Sequence, residues 1–156
     1  MKLQVMSDLH FEFHKDHGIS FVDAQNPTDV DVLVLAGDIT VLRDHYWLNN
    51  AMEAFCDKFK EVVYVPGNHE YYGTSTTIAD ANLSVVEMAH SNLHVLRDGV
   101  PVTIDGRRFI GGTMWFKEIP NARLYGQHMN DFHVIDGFEP WVYDQNRLFM
   151  SGLKTH

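Results

Sequence analysis

The segment DVDVLVLAGD, residues 29–38, carries a continuous Val/Leu run closed by Gly37 and Asp38. Such runs are typical of strands that are buried on both faces of a sheet. Shorter apolar segments at residues 2–8 (KLQVMSD) and 61–67 (EVVYVPG) predict a strand on either side of it. Between the second and third strands, from about His45 to Lys60, apolar residues recur at helical spacing: Trp47, Leu48, Met52, Phe55 and Phe59. Strand, helix and strand in alternation predict a right-handed crossover and a parallel sheet.

The second half of the chain has a different character. A second helix is predicted over residues 76–90, where several Ser and Thr residues can provide its N-cap. The segment VTIDGRRFI, residues 102–110, contains an Asp-Gly turn and predicts a tight antiparallel hairpin. Glycines and polar residues over 117–138 predict irregular loops, and residues 139–154 predict a helix with Pro140 in its first turn.

Length and composition narrow the class of protein. A chain of 156 residues without repeats or linkers fits a single domain, residues 1–156, that needs no disulfide to fold. Its net charge of −9 argues against an extended nucleic-acid surface or an anionic membrane as partner, although an acidic site can still recruit metal cations. The single cysteine, Cys56, lies in the second half of the amphipathic helix predicted from about His45 to Lys60. It is interpreted as a core-packing residue. Without a signal segment or a membrane-spanning apolar run, we expect a cytoplasmic protein.

Polar side chains follow each of the three predicted parallel strands. Asp8 and His10 follow the first strand, Asp38 follows the second, and Asn68 with His69 follow the third. The carboxyl ends of neighbouring parallel strands form the crevice where ligands bind, so these five side chains are expected to converge. Carboxylate, imidazole and amide ligands suit Mn, Fe, Zn or Mg, and a carboxylate can bridge two such ions. Asp38, on the middle strand, is the natural bridge.

Each of these patterns also has an ordinary interpretation. Asp-x-His and Gly-Asp are routine turn sequences, and Asn-His-Glu after Pro-Gly can simply cap the next helix. Three successive strand ends that carry suitable ligand types in order are harder to explain as loop chemistry. His69, one residue beyond a candidate ligand, can serve as a proton donor near the reacting group.

The motifs SDLH, AGDI and PGNHE, taken together, resemble those of the calcineurin-like metallophosphoesterase family. The segments GGTMWF and MNDFHVI are similar to stretches of its bacterial and phage members, so the resemblance covers roughly residues 1–135. The resemblance implies an α/β/β/α sandwich of two facing sheets flanked by helices. It also implies that Asp8 and His10 bind a first metal ion, that Asp38 bridges to a second ion bound by Asn68, and that His69 protonates the leaving group.

The implied reaction is hydrolysis of a phosphate mono- or diester, including small phosphoesters and nucleotides. A hydroxide held between two divalent ions would attack phosphorus in line. Glu70 is a candidate support for this site, and the residue that orients His69 cannot be identified from the sequence. Three further residues are weaker candidates for substrate contact: His128, His133 and Tyr71.

The family pattern continues with one further His and a Gly-His-x-His motif, and this sequence contains no Gly-His-x-His. The histidines after His69 are His90, His94, His128, His133 and His156, and none has a matching context. The first ion would then keep three protein ligands and the second only two, so the second site is expected to be incomplete. We therefore expect a truncated or fragmentary member of the family, to which the terminal His156 contributes no ligand.

Two hypotheses follow for the function. The first is a metal-dependent phosphoesterase, and the alternative is a non-catalytic remnant of the family that acts as a binding or assembly module. Loss of later strands would also expose an apolar sheet face or edge and favour homo-oligomers.

Overall fold

The computed structural model describes residues 1–121 and 123–155, and His156 lies outside the described residues. Six strands are present: β1 (Leu3–Met6), β2 (Val32–Ala36), β3 (Val62–Val65), β4 (Leu93–Val95), β5 (Val102–Ile104) and β6 (Arg107–Phe109). The helices are α1 (Ile19–Asp23), α2 (His45–Lys58), α3 (Thr76–Ala89), α4 (Arg123–His128), α5 (Asp131–Val134) and α6 (Phe138–Thr155). Single 3₁₀ turns follow β1 (Phe11–Phe13) and β3 (His69–Tyr71).

The main sheet has four parallel strands in the order β1-β2-β3-β4. The Val/Leu run forms β2, which lies between β1 and β3 in this sheet. Because an interior strand is covered on both faces, its side chains are apolar on both. The order also confirms that Asp38 follows the middle of the three predicted strands. A separate antiparallel hairpin, β5-β6, is the one that the Asp-Gly turn predicts.

Side chains of β2 alternate between two cores. Leu33 and Leu35 face the larger core, which they share with buried residues of α2, α3 and α6. Val32 packs on the opposite face with Val63 of β3 and Ile104 of the hairpin. The chain is thus a mixed α/β protein with a parallel sheet and helices, as the sequence predicts, and the β5-β6 hairpin packs on the sheet face opposite the larger core.

Most predicted elements are confirmed, with three differences. The helix predicted to reach Lys60 ends at Lys58, where the chain turns toward β3. The segment around β4 adds a fourth parallel strand beside β3, which the turn-rich sequence did not predict. The region predicted as irregular loops contains α4 and α5, two helices too short for a periodic apolar pattern to reveal them.

The face of β1 that lies opposite the helices is open to solvent. Leu3 is 50% exposed and Val5 is 63% exposed, because the β5-β6 hairpin packs on this face over β2 and β3 and not over β1. This agrees with the expectation of an exposed apolar sheet face. Among the helices of the described residues, none combines the length and the apolar character needed to cross a bilayer.

Candidate metal centre

The loops after β1 and β2 are joined by backbone hydrogen bonds at the carboxyl edge of the sheet. The Asp8 amide donates to the Gly37 carbonyl at 3.0 Å, and the His10 amide donates to the Asp38 carbonyl at 3.0 Å. These bonds extend the parallel pairing beyond the strands, so the first two candidate motifs lie side by side.

Three candidate site residues have left-handed backbone conformations. The φ angles are 54° at Asp8, 48° at His10 and 56° at Asp38. Asp and His tolerate this region better than most residues, yet it remains uncommon outside glycine. Such conformations are found where the surrounding structure holds a side chain in a functional position.

The loop after β3 approaches Asp38 so closely that only glycine fits at position 67. A Cβ atom at Gly67 would lie 2.1 Å from Asp38 Oδ1 and 2.7 Å from the Asp38 amide nitrogen. Directly beyond this contact, the His69 amide donates to Asp38 Oδ1 at 3.1 Å. The Pro-Gly pair therefore brings the third motif against the second.

Glu70 connects the loop after β2 with the loop after β3 through hydrogen bonds of its side chain. Its side chain is fully buried, and its Oε2 accepts from the amides of Asp38 (3.1 Å) and Gly67 (2.8 Å). Its Oε1 accepts from the Ile39 amide at 2.8 Å and the Tyr64 hydroxyl at 2.7 Å. Burial raises the pKa of the Glu70 carboxyl to about 7, although the hydrogen bonds from Ile39 and Tyr64 oppose this. The geometry fits the sequence interpretation of Glu70 as a support.

The side chains of His10, Asp38 and His69 form a group that can hold a metal ion. Each offers one ligand atom, and the three atoms lie within 4.8 Å of one another. Two imidazoles and a carboxylate suit Zn, Mn or Fe, so the donor set fits a divalent ion. The group contains two of the predicted ligands together with His69, for which the sequence predicts a proton-donating role.

Asp8 and Asn68, the other predicted ligands, line a cavity of about 530 Å³ together with Asp38. The Asn68 Nδ2 donates to Asp131 Oδ1 at 2.8 Å and to the Tyr72 hydroxyl at 3.0 Å. Because both bonds use the nitrogen, the amide oxygen of Asn68 is the atom that remains for a cation. Sequence reasoning missed Asp131, although it lies within the MNDFHVI segment that carries part of the resemblance.

Sequence reasoning also missed Glu12. Its Oε1 lies 3.3 Å from His10 Nδ1 and 3.1 Å from His69 Nδ1, and the two imidazole rings are 4.4 Å apart between centroids. The sequence feature that could have indicated Glu12 is its position two residues after His10, in HFEF. Nothing local in the sequence connects Glu12 with His69, 57 residues away.

The weaker substrate-binding candidates do not line the cavity. His128 and His133 are exposed, and the same part of the chain instead places Met129 and Asp131 in the cavity wall. Tyr71 is 3% exposed and donates to Asp80 at 3.1 Å, so the prediction that it contacts substrate does not fit its burial. The next residue, Tyr72, stacks on His69 at 4.3 Å between ring centroids.

Three other titratable side chains, those of Cys56, His90 and His94, lie outside the cavity and make structural contacts. Cys56 packs at the edge of the larger core, and burial raises the pKa of its thiol to about 12. His90 contacts Asn49, and His94 contacts Glu61, both away from the cavity. The packing and burial of Cys56 support its interpretation as core packing.

Comparison with known proteins places this site in a family. A model of the calcineurin-like phosphoesterase family matches residues 1–152. The uncharacterized protein L509 of Acanthamoeba polyphaga mimivirus is 27% identical over 150 aligned residues, which cover 85% of this chain and 51% of the viral protein. The chain therefore spans about half the length of the curated relative that it matches.

Solved structures support the same fold. Phosphopantetheinyl hydrolase (PptH) from Mycobacterium tuberculosis superimposes with a TM-score of 0.66 at 15% identity, over 99% of this chain and 62% of that one. Identity this low indicates a shared fold and no more. The family match extends over nearly the whole chain and includes all three motifs, so this protein belongs to the calcineurin-like phosphoesterase family.

Proposed function

We propose that the chain is a metal-dependent phosphoesterase that hydrolyses a phosphate mono- or diester. The observation that carries the proposal is the grouping of His10, Asp38 and His69 at the carboxyl edge of the sheet, with ligand atoms within 4.8 Å. Family membership supports hydrolase chemistry at this edge.

Four residues are proposed to hold divalent ions: Asp8, His10, Asp38 and Asn68. Divalent ions at such sites neutralise charge on phosphoryl oxygens and lower the pKa of an attacking water. Asp38 contributes the central carboxylate, held between the other two loops by the His69 amide and the close approach of Gly67. Asn68 presents its amide oxygen because Asp131 and Tyr72 engage its nitrogen.

His69 is proposed to protonate the leaving oxygen. Its Nδ1 faces Glu12, so Nε2 is the nitrogen from which a proton can pass to substrate. The ring is held on its other side by the stacked Tyr72. General-acid catalysis of this kind typically contributes about 10²–10⁴-fold to the rate.

The cavity beside the site indicates a small substrate. Its described lining contains carboxylate and amide groups together with apolar residues such as Trp115 and Phe116, and it includes neither Lys nor Arg. Among these described lining residues, a highly charged polyphosphate would find no cationic side chain. Because one structural neighbour is named a phosphopantetheinyl hydrolase, phosphopantetheinyl esters belong among the candidate substrates to be assayed.

Metal analysis and a phosphatase assay test the proposal together. The purified chain is analysed for bound metal by mass spectrometry and assayed with nitrophenyl mono- and diesters in the presence of Mn²⁺. We expect Asp38→Asn and His69→Ala to reduce turnover by about 10²-fold or more. Asp105→Asn is the matched control, because Asp105 also has a left-handed φ, of 47°, but lies in the β5-β6 turn. If turnover is unchanged in both Asp38→Asn and His69→Ala, the proposed active site is refuted.

A binding or assembly module is the second candidate. It is favoured by the exposure of the apolar side chains of Leu3 and Val5 on β1. Sedimentation velocity of the wild type and of Val5→Lys distinguishes the candidates. Assembly that Val5→Lys abolishes, in a chain without metal-dependent turnover, would favour the module.

A further inference from the structure

Glu12 contacts both imidazoles of the candidate metal centre through one oxygen. Its Oε1 lies 3.3 Å from His10 Nδ1 and 3.1 Å from His69 Nδ1. We infer that Glu12 is a positioning residue, which holds His10 and His69 in the Nδ1–H tautomer so that both present Nε2 to the metal and substrate. The inference rests on the proposed function and adds a residue that the family motifs do not include.

The fold holds Glu12 in place through the residue before it. Phe11 is 1% exposed, its amide donates to the Ile39 carbonyl at 2.8 Å, and its ring stacks on Phe55. Phe11 and Glu12 belong to the same 3₁₀ turn, so anchoring of Phe11 in the core fixes the direction of the carboxylate. The side chain of Glu12 is only 13% exposed, which limits its alternative positions.

The hydrogen bonds of the Glu12 carboxylate indicate that its role concerns His10 and His69. In the part of the chain that the structure describes, Glu12 Oε2 is buried and has no hydrogen-bond partner. Burial of a carboxylate oxygen without a partner is unfavourable, so this position is not explained by the stability of the turn. The contacts that Glu12 does make are with two of the three residues of the metal-binding group.

The chemistry of metal-bound imidazole explains the value of such a contact. A neutral imidazole carries one N–H, so donation from Nδ1 to a carboxylate leaves the Nε2 lone pair for a metal ion. The same bond fixes the ring of His69 with Nε2 toward substrate; to act as the acid, Nε2 first takes up a proton from solvent, so that both ring nitrogens carry hydrogen, and then passes that proton to the leaving oxygen. One carboxylate therefore orients a metal ligand and a proton donor together.

Nitrogen NMR of the metal-free protein at about pH 8 tests the tautomers directly, since an ordinary imidazole is neutral there. We expect the Nδ1–H tautomer at His10 and His69. His94 is an internal control, because its Nε2 lies 2.8 Å from Glu61 and it should show the opposite, Nε2–H, tautomer. An Nε2–H tautomer at both His10 and His69 in the wild type would overturn the inference without any variant.

Mn²⁺ affinity measured by calorimetry provides the second readout. Glu12→Ala should weaken binding about 10- to 100-fold, the usual effect of removing a carboxylate behind a ligating histidine. Glu12→Gln should lose less, because its amide oxygen can still accept from both rings although it carries no charge, and Glu61→Gln should lose nothing. Unchanged affinity and tautomers in a folded Glu12→Ala protein would refute the role. If the wild type binds no Mn²⁺, the proposed function fails, and the tautomers still decide the inference on Glu12.

Discussion

Removal of the buried carboxylate at Glu70 tests how the site is built. The two oxygens of Glu70 accept four hydrogen bonds, from the amides of Asp38, Ile39 and Gly67 and from the Tyr64 hydroxyl. Glu70→Ala leaves all four donors without an acceptor; those of Ile39 and Tyr64 are buried, and those of Asp38 and Gly67 are part-buried. At about 1–3 kcal/mol for each buried unsatisfied group, the free energy of unfolding should fall by roughly 2–6 kcal/mol. That is a large part of the ~5–15 kcal/mol that stabilises a typical domain.

Glu70→Gln should have a smaller effect with a specific origin. The glutamine oxygen can accept from Asp38 and Gly67, while the amide nitrogen turns to Tyr64, whose hydroxyl can reverse and accept. The Ile39 amide is then the one donor that loses its partner, at a cost of about 1–3 kcal/mol. The ordering of the two variants follows from the number of donors that each leaves without an acceptor.

Urea unfolding followed by circular dichroism measures both variants. The experiment is performed with a chelator at about pH 8, above the folded pKa of Glu70, so that the ionised carboxylate can accept all four hydrogen bonds. Glu53→Ala and Glu53→Gln are matched controls, because Glu53 is an exposed residue of α2, where substitutions usually change stability by about 0.5 kcal/mol or less. A Glu70→Ala protein no less stable than Glu53→Ala would refute this account of the loops.

Two further substitutions and one pH dependence extend these predictions. Gly67→Ala places a Cβ 2.1 Å from Asp38 Oδ1 and should weaken Mn²⁺ binding in calorimetry by at least about 10-fold, whereas Gly126→Ala, with its nearest contact at 3.8 Å, should leave binding unchanged. Asp131→Ala removes the acceptor that holds the Asn68 amide and should weaken Mn²⁺ binding by a similar factor; equal binding by the variant and the wild type would contradict that role. Because burial raises the folded pKa of Glu70 from 4.5 to about 7, its stabilising contribution is present below about pH 4.5 and is lost as pH rises through 7. The stability difference between wild type and Glu70→Gln should therefore shrink by roughly 3 kcal/mol from pH 4.5 to pH 8, as measured by urea unfolding, and a constant difference would contradict the shifted pKa.

The sequence determined the parallel sheet and the position of its site. The Val/Leu run of β2 and the helical spacing of α2 are local patterns, and parallel order follows from their alternation. The candidate ligands could be predicted because each directly follows a strand, and parallel strands end at the same edge. The family match confirms the resemblance that these motifs suggest.

Only the tertiary structure decided which side chains support the ligands. Glu12 meets His69 across 57 residues, and Asp131 meets Asn68 across 63 residues. Neither pair has a local signature, because each depends on how a 3₁₀ turn or a short helix packs against the sheet edge. The same reason explains why the sequence points to His133 and not to Asp131 within the MNDFHVI segment. Ligand type and order are properties of short segments, whereas the orientation of a ligand depends on contacts between segments that are distant in the chain.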